Sequence, residues 1–188
     1  MPVAAVVVAA GEGRRFGGPK QFATLGAETV CAMSVRAARS VADRVVLVVP
    51  AGYAGEALGA DQLVAGGATR ADSVRAGLAA CAGADVVVVH DAARPLATPD
   101  LFARVVAAVR AGADGAVPGL GLTDTVKRVA RDGGATVVVA TLDRDELVAV
   151  QTPQAFAYGA LVRAHERGRD ATDDAALVEQ TGGRVVVV

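Results

Sequence analysis

The chain has 188 residues, of which 53% are hydrophobic and 21% charged, with a formal net charge of -1. That composition excludes global disorder, and a chain of that length can bury about 70% of its unfolded surface, which removes any need for metal or disulfide staples. Aromatics make up 3%, Trp is absent and no basic excess exists, which excludes a stacking platform for single strands and the footprint of a duplex binder.

The apolar runs are far shorter than the ~20 residues of a membrane span. Met1-Pro2-Val3 lacks a basic n-region, so no secretory signal is expected. A cytoplasmic protein without nucleic-acid or membrane partners is the expectation. Cys31 and Cys81 sit in Ala-rich helical patterns and read as buried free thiols. Only two lysines, Lys20 and Lys127, stand among 17 arginines. Lys is a compact point charge where Arg is a planar fork, so both positions draw notice.

Val3 to Val8 reads as a strand apolar on both faces and therefore buried. It runs into Ala9-Ala10-Gly11-Glu12-Gly13-Arg14-Arg15-Phe16-Gly17-Gly18-Pro19-Lys20. Glycines let backbone N–H groups approach phosphate oxygens, and Arg and Lys add charge, so this loop is expected to bind a polyphosphate. Phe16 breaks the dinucleotide G-x-G-x-x-G pattern, and Pro19-Lys20-Gln21 breaks the Walker A pattern. An oxidoreductase is thereby disfavoured.

Val30 to Ser40 has helical spacing, and Val45 to Val49 reads as a second buried strand. The segment Gly66-Gly67-Ala68-Thr69-Arg70-Ala71-Asp72-Ser73-Val74 then opens a helix over Ala71 to Ala82. A helix N-terminus presents free N–H groups, and Ser73 either caps it or touches a ligand. Val86 to Val89 reads as a third buried strand and delivers His90-Asp91-Ala92-Ala93-Arg94-Pro95. A carboxylate after a parallel strand stands at the ligand-binding edge. Asp91 there suits Mg²⁺ shared with phosphate oxygens, and Arg94 either binds phosphate or holds Asp91 in place. His90 reads as a packed, hydrogen-bonded side chain.

Pro99 to Ala111 forms a helix, with Pro99 and Asp100 at its start and Leu101, Val105, Val106 and Val109 on one face. Strands alternating with helices predict a parallel α/β sheet. After Gly119 the pattern changes. Thr125 to Ala130 and Thr136 to Ala140 flank Arg131-Asp132-Gly133-Gly134, where Asp-Gly signals a hairpin. We read one domain over residues 1–188, with an arm at approximately 120–148 that projects and serves dimerisation. Thr123-Asp124-Thr125-Val126-Lys127, Asp143-Arg144 and Gln151-Thr152-Pro153-Gln154 lie at the arm's edges and offer a polar pocket or simply surface. His165, with Arg163, Glu166 and Arg167, reads as a solvated helix face; Ala171-Thr172-Asp173-Asp174 reads as a helix cap first and a ligand contact second. Val185 to Val188 reads as another buried strand, and a chain stopping inside it looks truncated at its C-terminal segment.

Taken in order, Ala9-Ala10-Gly11-x-Gly-Arg-Arg, Pro19-Lys20-Gln21, Gly66-Gly67 with Arg70-Ala71-Asp72-Ser73-Val74, His90 to Pro95, Asp124-Thr125-Val126-Lys127, Asp143-Arg144 and Thr152-Pro153-Gln154 resemble the 2-C-methyl-D-erythritol 4-phosphate cytidylyltransferase family. The likeness covers essentially the whole chain, and the His-Asp-Ala-Ala-Arg-Pro segment is its specific part. It implies a Rossmann-like, mostly parallel sheet flanked by helices, of the nucleotide-diphospho-sugar transferase type, with the hairpin arm. It implies transfer of a cytidylyl group from magnesium CTP to methylerythritol phosphate, with release of pyrophosphate, by a homodimer. Arg15 and Lys20 would stabilise developing phosphate charge. Ala9, Ala10, Gly11 and Gly13 would wrap the nucleotide, with Gly67 and Ser73 near the cytidine. Asp91 would hold the metal. Thr125 and Arg144 would bind the acceptor from the neighbouring protomer, with Arg94, Thr152 and Thr172 as lesser candidates.

Two departures stand out. Ala68 occupies a place where the family usually carries an acidic residue, and the chain ends before the family's Asn-x-Lys-x-Thr segment, which also leaves a fused downstream domain open. The rival readings are a ribitol 5-phosphate cytidylyltransferase and a truncated, non-catalytic nucleotide-binding protein.

Overall fold

The structure is a computed structural model that describes residues 1–13, 17–167 and 171–188. In chain order its elements are β1 (Val3–Val8), a 3-10 turn (Lys20–Phe22), β2 (Thr24–Leu25), β3 (Glu28–Thr29), α1 (Val30–Arg39), β4 (Arg44–Val49), β5 (Gln62–Ala65), α2 (Arg70–Ala79), β6 (Val86–Asp91) and α3 (Pro99–Arg110). There follow β7 (Gly115–Val117), β8 (Gly119–Gly121), β9 (Lys127–Asp132), β10 (Ala135–Thr141), a 3-10 turn (Arg144–Glu146), β11 (Val148–Val150), β12 (Gln154–Ala157), α4 (Tyr158–Arg167), α5 (Asp174–Gln180) and β13 (Val185–Val187). The chain divides into two compact units. One joins Met1–Pro118 to Thr152–Val188, and the other is Gly119–Gln151.

The larger unit holds a seven-stranded sheet in the order β13-β7-β12-β6-β1-β4-β5. Pairing is parallel throughout except at β12, which runs against both β6 and β7. Alternation along β1 divides the core. Val3, Ala5 and Val7 face one layer with α1 and α3, including Val35, Phe102 and Val105. Ala4 and Val6 face the other with α2, α4 and α5, including Leu78, Leu161 and Val178. Strands buried on both faces need apolar residues at every position, hence the Val runs. Phe102 and Phe156 are fully buried, and truncating either to Ala would cost about 3–5 kcal/mol.

The helices begin where their caps dictate. Thr29 accepts from the Ala32 amide and Thr98 from the Leu101 amide, with Pro99 opening α3. Cys31 and Cys81 are buried free thiols, although α2 ends at Ala79 and leaves Cys81 beyond it. The last strand departs from expectation. Among the described residues β13 pairs with β7 alone, at the edge of the sheet, and Val187 is exposed rather than buried.

In the smaller unit β9 and β10 form an antiparallel hairpin, and β8 pairs with β11. The hairpin turn is Gly133-Gly134 rather than Asp132-Gly133, because both turn residues have positive φ (52° and 86°) and Asp132 closes the strand. Among the described residues no helix is long and apolar enough to cross a membrane.

Candidate active site

Three loops leave the C-terminal ends of the parallel strands β1, β5 and β6. Val8 stands in register with Val48 of β4 and with Asp91 of β6. The chain moves from β1 to β4 on one side and returns to β6 on the other, so the strand order reverses at β1. Such a reversal opens a crevice at the carboxyl edge.

The first loop is tied down before it turns. The Ala9 amide donates to the Val48 carbonyl at 2.7 Å. Buried Gln21 donates from Nε2 to the carbonyls of Ala9 (2.6 Å) and Gly11 (2.7 Å). At Gly13, where φ is +64°, a Cβ would fall 1.7 Å from the Gly18 carbonyl oxygen, so the loop closes on itself only with glycine there. Lys20 opens the 3-10 turn that carries Gln21 and is exposed. Arg15, expected beside it, lies outside the described residues, as do Arg14 and Phe16.

The second loop meets the first. A Cβ on Gly66 would lie 2.4 Å from the Ala10 Cβ and 2.8 Å from Ser73 Oγ, so Ala10 and Ser73 both close on Gly66. Buried Ser73 accepts from the Gly67 amide at 3.2 Å and donates to the Thr69 carbonyl at 3.0 Å. It is not the helix cap. Thr69 and Asp72 form a reciprocal capping box instead, the Thr69 side chain accepting from the Asp72 amide and the Asp72 carboxylate from the Thr69 amide.

The third loop carries Asp91, whose side chain is one-third exposed. Arg70 Nε donates to Asp91 Oδ1 at 3.2 Å, and Arg94 Nε lies 3.5 Å from Oδ2. Arg94 therefore braces Asp91. The Asp91 amide donates to Thr152 Oγ1 at 3.2 Å, and the same oxygen lies 3.1 Å from His90 Nδ1. His90 is fully buried, tilted against the Phe102 ring. Burial pushes its pKa down to about 4, against the upward pull of the Asp91 carboxylate and the Arg94 backbone. It is the packed histidine its sequence context implies.

His165 overturns its expectation. It lies in α4 among charged neighbours, yet its side chain is 3% exposed and its Nε2 is 2.9 Å from Oδ1 of Asp174, itself 1% exposed. The solvated face belongs to Glu166 and Arg167; position 165 turns inward between α4 and α5. Asp174 Oδ2 also accepts from Arg70 Nη1 at 2.8 Å. Burial raises the Asp174 pKa, but the bonds to His165 and Arg70 outweigh it and hold the carboxyl below its usual value. Asp173 next door is the α5 cap, accepting from the Ala176 amide, and Thr172 is exposed. Removing the buried Asp174 carboxylate would leave both Arg70 and His165 without that acceptor.

Thr125 and Arg144 belong to the smaller unit. Arg144 Nη1 donates to the Thr123 carbonyl at 2.5 Å, which brings Arg144 to the segment carrying exposed Thr125. Sequence reasoning missed the roles of Gln21, Arg70 and Asp174. All three lay within motifs already singled out, but nothing in their spacing marks which atoms they hold. The described residues contain no cluster of three His, Cys, Asp or Glu side chains able to hold a metal alone.

Comparisons with known proteins agree with this arrangement. The family model described as IspD, 2-C-methyl-D-erythritol 4-phosphate cytidylyltransferase, matches residues 3–188. A bifunctional IspD/IspF enzyme of Anaeromyxobacter sp. (strain Fw109-5) is 48% identical across 99% of this chain and 51% of its own length. The chain thus spans about half of such bifunctional relatives. A 2-C-methyl-D-erythritol 4-phosphate cytidylyltransferase of Rhodococcus jostii is 46% identical over 98% of this chain and 84% of its own. The crystal structure of the Thermus thermophilus enzyme of that name superposes with a TM-score of 0.81 at 36% identity, covering 100% of this chain and 88% of that one. With the sheet, the three loops and the matched sequence in accord, the chain belongs to the 2-C-methyl-D-erythritol 4-phosphate cytidylyltransferase family.

Proposed function

We propose that the chain transfers a cytidylyl group from CTP to 2-C-methyl-D-erythritol 4-phosphate, giving 4-(cytidine 5'-diphospho)-2-C-methyl-D-erythritol and pyrophosphate. The observation that carries this reading is the convergence of the glycine loop, the Gly66–Ser73 turn and Asp91 on one crevice, in a chain matched by the family model over residues 3–188. The acceptor's phosphate oxygen attacks the α-phosphorus in line, and the bond to the β-phosphate oxygen breaks. Such chemistry asks the protein mainly for positioning and charge neutralisation.

Backbone amides of the turn that starts at Ala9 and ends at Gly13 cradle the phosphates. Lys20 and Arg15 bear on the negative charge that builds on the α-phosphate and the leaving pyrophosphate. Gly67 and Ser73 flank the cytosine. Asp91 fits a divalent cation only in company, since it is a single carboxylate with an arginine on each oxygen. Mg²⁺ takes one or two carboxylates with substrate phosphates, which matches that donor set. When bound, the cation would neutralise triphosphate charge. Arg94, Thr152 and Thr172 are assigned to the acceptor side. Thr125 and Arg144 are assigned to the acceptor held by the neighbouring protomer of a homodimer, and the exposed Val129, Val137, Val138 and Val139 of the hairpin support an arm that meets a partner.

Phosphorus labelling tests the reaction. With CTP labelled at the α-phosphate, the label is expected in the diphosphocytidyl product and not in pyrophosphate. Label remaining wholly in CTP after incubation with the acceptor and Mg²⁺ would refute the assignment.

A further inference from the structure

A chain of four polar side chains runs from the buried layer to the sheet edge. His165 of α4 donates to Asp174 of α5, Asp174 accepts from Arg70 of α2, and Arg70 donates to Asp91 at the end of β6. The α2–β6 stretch and the α4–α5 stretch, about a hundred residues apart in sequence, are thereby joined through the bond from Arg70 to Asp174. Burial alone would lower the Arg70 pKa, yet the carboxylates of Asp174 and Asp91 raise it. A buried ion pair is often no more stabilising than well-packed apolar residues of the same volume. Helices α4 and α5 already pack through Leu161, Ala164, Ala175 and Val178, so the polar chain is not needed to close that layer. Its exposed end is what distinguishes it, because that end is Asp91.

We propose that Arg70 is a positioning residue for Asp91, anchored from below by the buried Asp174–His165 pair. The proposal rests on the reading of Asp91 as a residue that holds substrate or cation. The geometry suits the task. Nε and Nη1 belong to one rigid plane, so fixing Nη1 on Asp174 fixes where Nε meets Asp91 Oδ1. A lysine in place of Arg70 has a single nitrogen and cannot serve both carboxylates in that manner. Arg94 reaches the other oxygen across a longer distance and from a more exposed position. Arg70 thus sets the direction of the carboxylate and Arg94 braces it.

The test is a double-mutant cycle of Asp174→Asn and Asp91→Asn, read as kcat and KM for both substrates, with thermal melting measured alongside. Loss of a residue that orients a ligating carboxylate costs ~10–100-fold in activity, so Asp174→Asn is expected to lower kcat by about that factor. In the Asp91→Asn background the same change is expected to cost less than about twofold, since coupled residues do not add. Equal losses in both backgrounds, tracking the melting temperature, would show a merely structural role and overturn the proposal. Arg70→Lys replaces Asp174→Asn in the same cycle if the latter fails to fold, because Arg70 is one-third exposed. Crystal structures of the variants give a readout independent of turnover. Arg70 is expected to leave Asp91 in Asp174→Asn, and an Arg70–Asp91 contact unchanged there would overturn the anchor. Wild-type protein that makes no pyrophosphate would instead refute the cytidylyl-transfer reading, and the crystal structures would still decide the anchor.

Discussion

Thr152 Oγ1 lies 3.1 Å from His90 Nδ1 and also accepts the Asp91 amide, so one hydroxyl joins a buried imidazole to the residue at the sheet edge. The imidazole has no exposure and packs on Phe102. Its charged form is therefore the costly one.

This makes stability depend on pH in a defined window. The native His90 pKa is about 4, against 6.5 for the free group. The unfolded chain then binds more protons between those values, so stability is fully present above pH 6.5 and is lost as pH falls toward 4. At ~1.4 kcal/mol per pH unit the loss is about 3 kcal/mol. Asp174, lowered from 3.8, loses its contribution only below that value, outside the window. Denaturant melts at successive pH values are expected to show the acid slope in wild type and a flatter one in His90→Asn. Parallel slopes would remove His90 as the cause.

The thiols are expected to be silent in the native state. Burial pushes Cys31 up to about 12 and Cys81 up to about 11. The thiolate is the reactive form, so a disulfide reagent at a pH of about 8 should titrate neither cysteine natively and both after denaturation. Rapid native labelling would contradict the packing of α1 and the turn beyond α2.

Lys20 stands on the turn that Gln21 pins to Ala9 and Gly11. Lys20→Ala is expected to lower kcat by about 10²–10³, by analogy with loss of one preorganised charge-stabilising donor. The melting temperature should hardly move, because Lys20 is exposed. Gln21→Ala should cost both activity and stability, since it takes a donor away from two carbonyls of the loop. Steady-state kinetics with calorimetry separates the two cases.

The role in a dimer proposed for the arm is tested by complementation. Lys20→Ala and Arg144→Ala chains are each expected to be nearly inactive alone. If Arg144 acts in the partner's site, mixing them with subunit exchange leaves one intact site in each mixed dimer and restores about a quarter of wild-type activity. No recovery on mixing, with exchange verified, would place Arg144 with the Lys20 of its own chain. A sedimentation run that shows only monomer would contradict the dimer itself.

Much of this was legible in the sequence because burial on both faces forces apolar residues along β1, β4 and β6, and because the residues after those strands must stand at one edge. Pro99 and Asp100 announced α3 for an equally local reason. β7 and β12 were not legible: at three and four residues, Gly115–Val117 and Gln154–Ala157 show no period, and only pairing within the sheet makes them strands. β13 was misjudged because an apolar run reads as central whether or not a strand lies on its far side. His165 was misjudged because its neighbours are charged and its partner, Asp174, lies on the next helix, where no spacing rule links them. The turn at Gly133-Gly134 was found one residue away from its signal, since Asp-Gly and Gly-Gly are both hairpin formers.

The most direct measurement is Mg²⁺-dependent pyrophosphate release from CTP by this 188-residue chain, with methylerythritol phosphate and ribitol 5-phosphate as alternative acceptors. The account predicts release with methylerythritol phosphate, abolished by chelation, and little with ribitol 5-phosphate. Release with ribitol 5-phosphate alone would contradict the acceptor, and CTP binding without release to either would contradict catalysis by this chain.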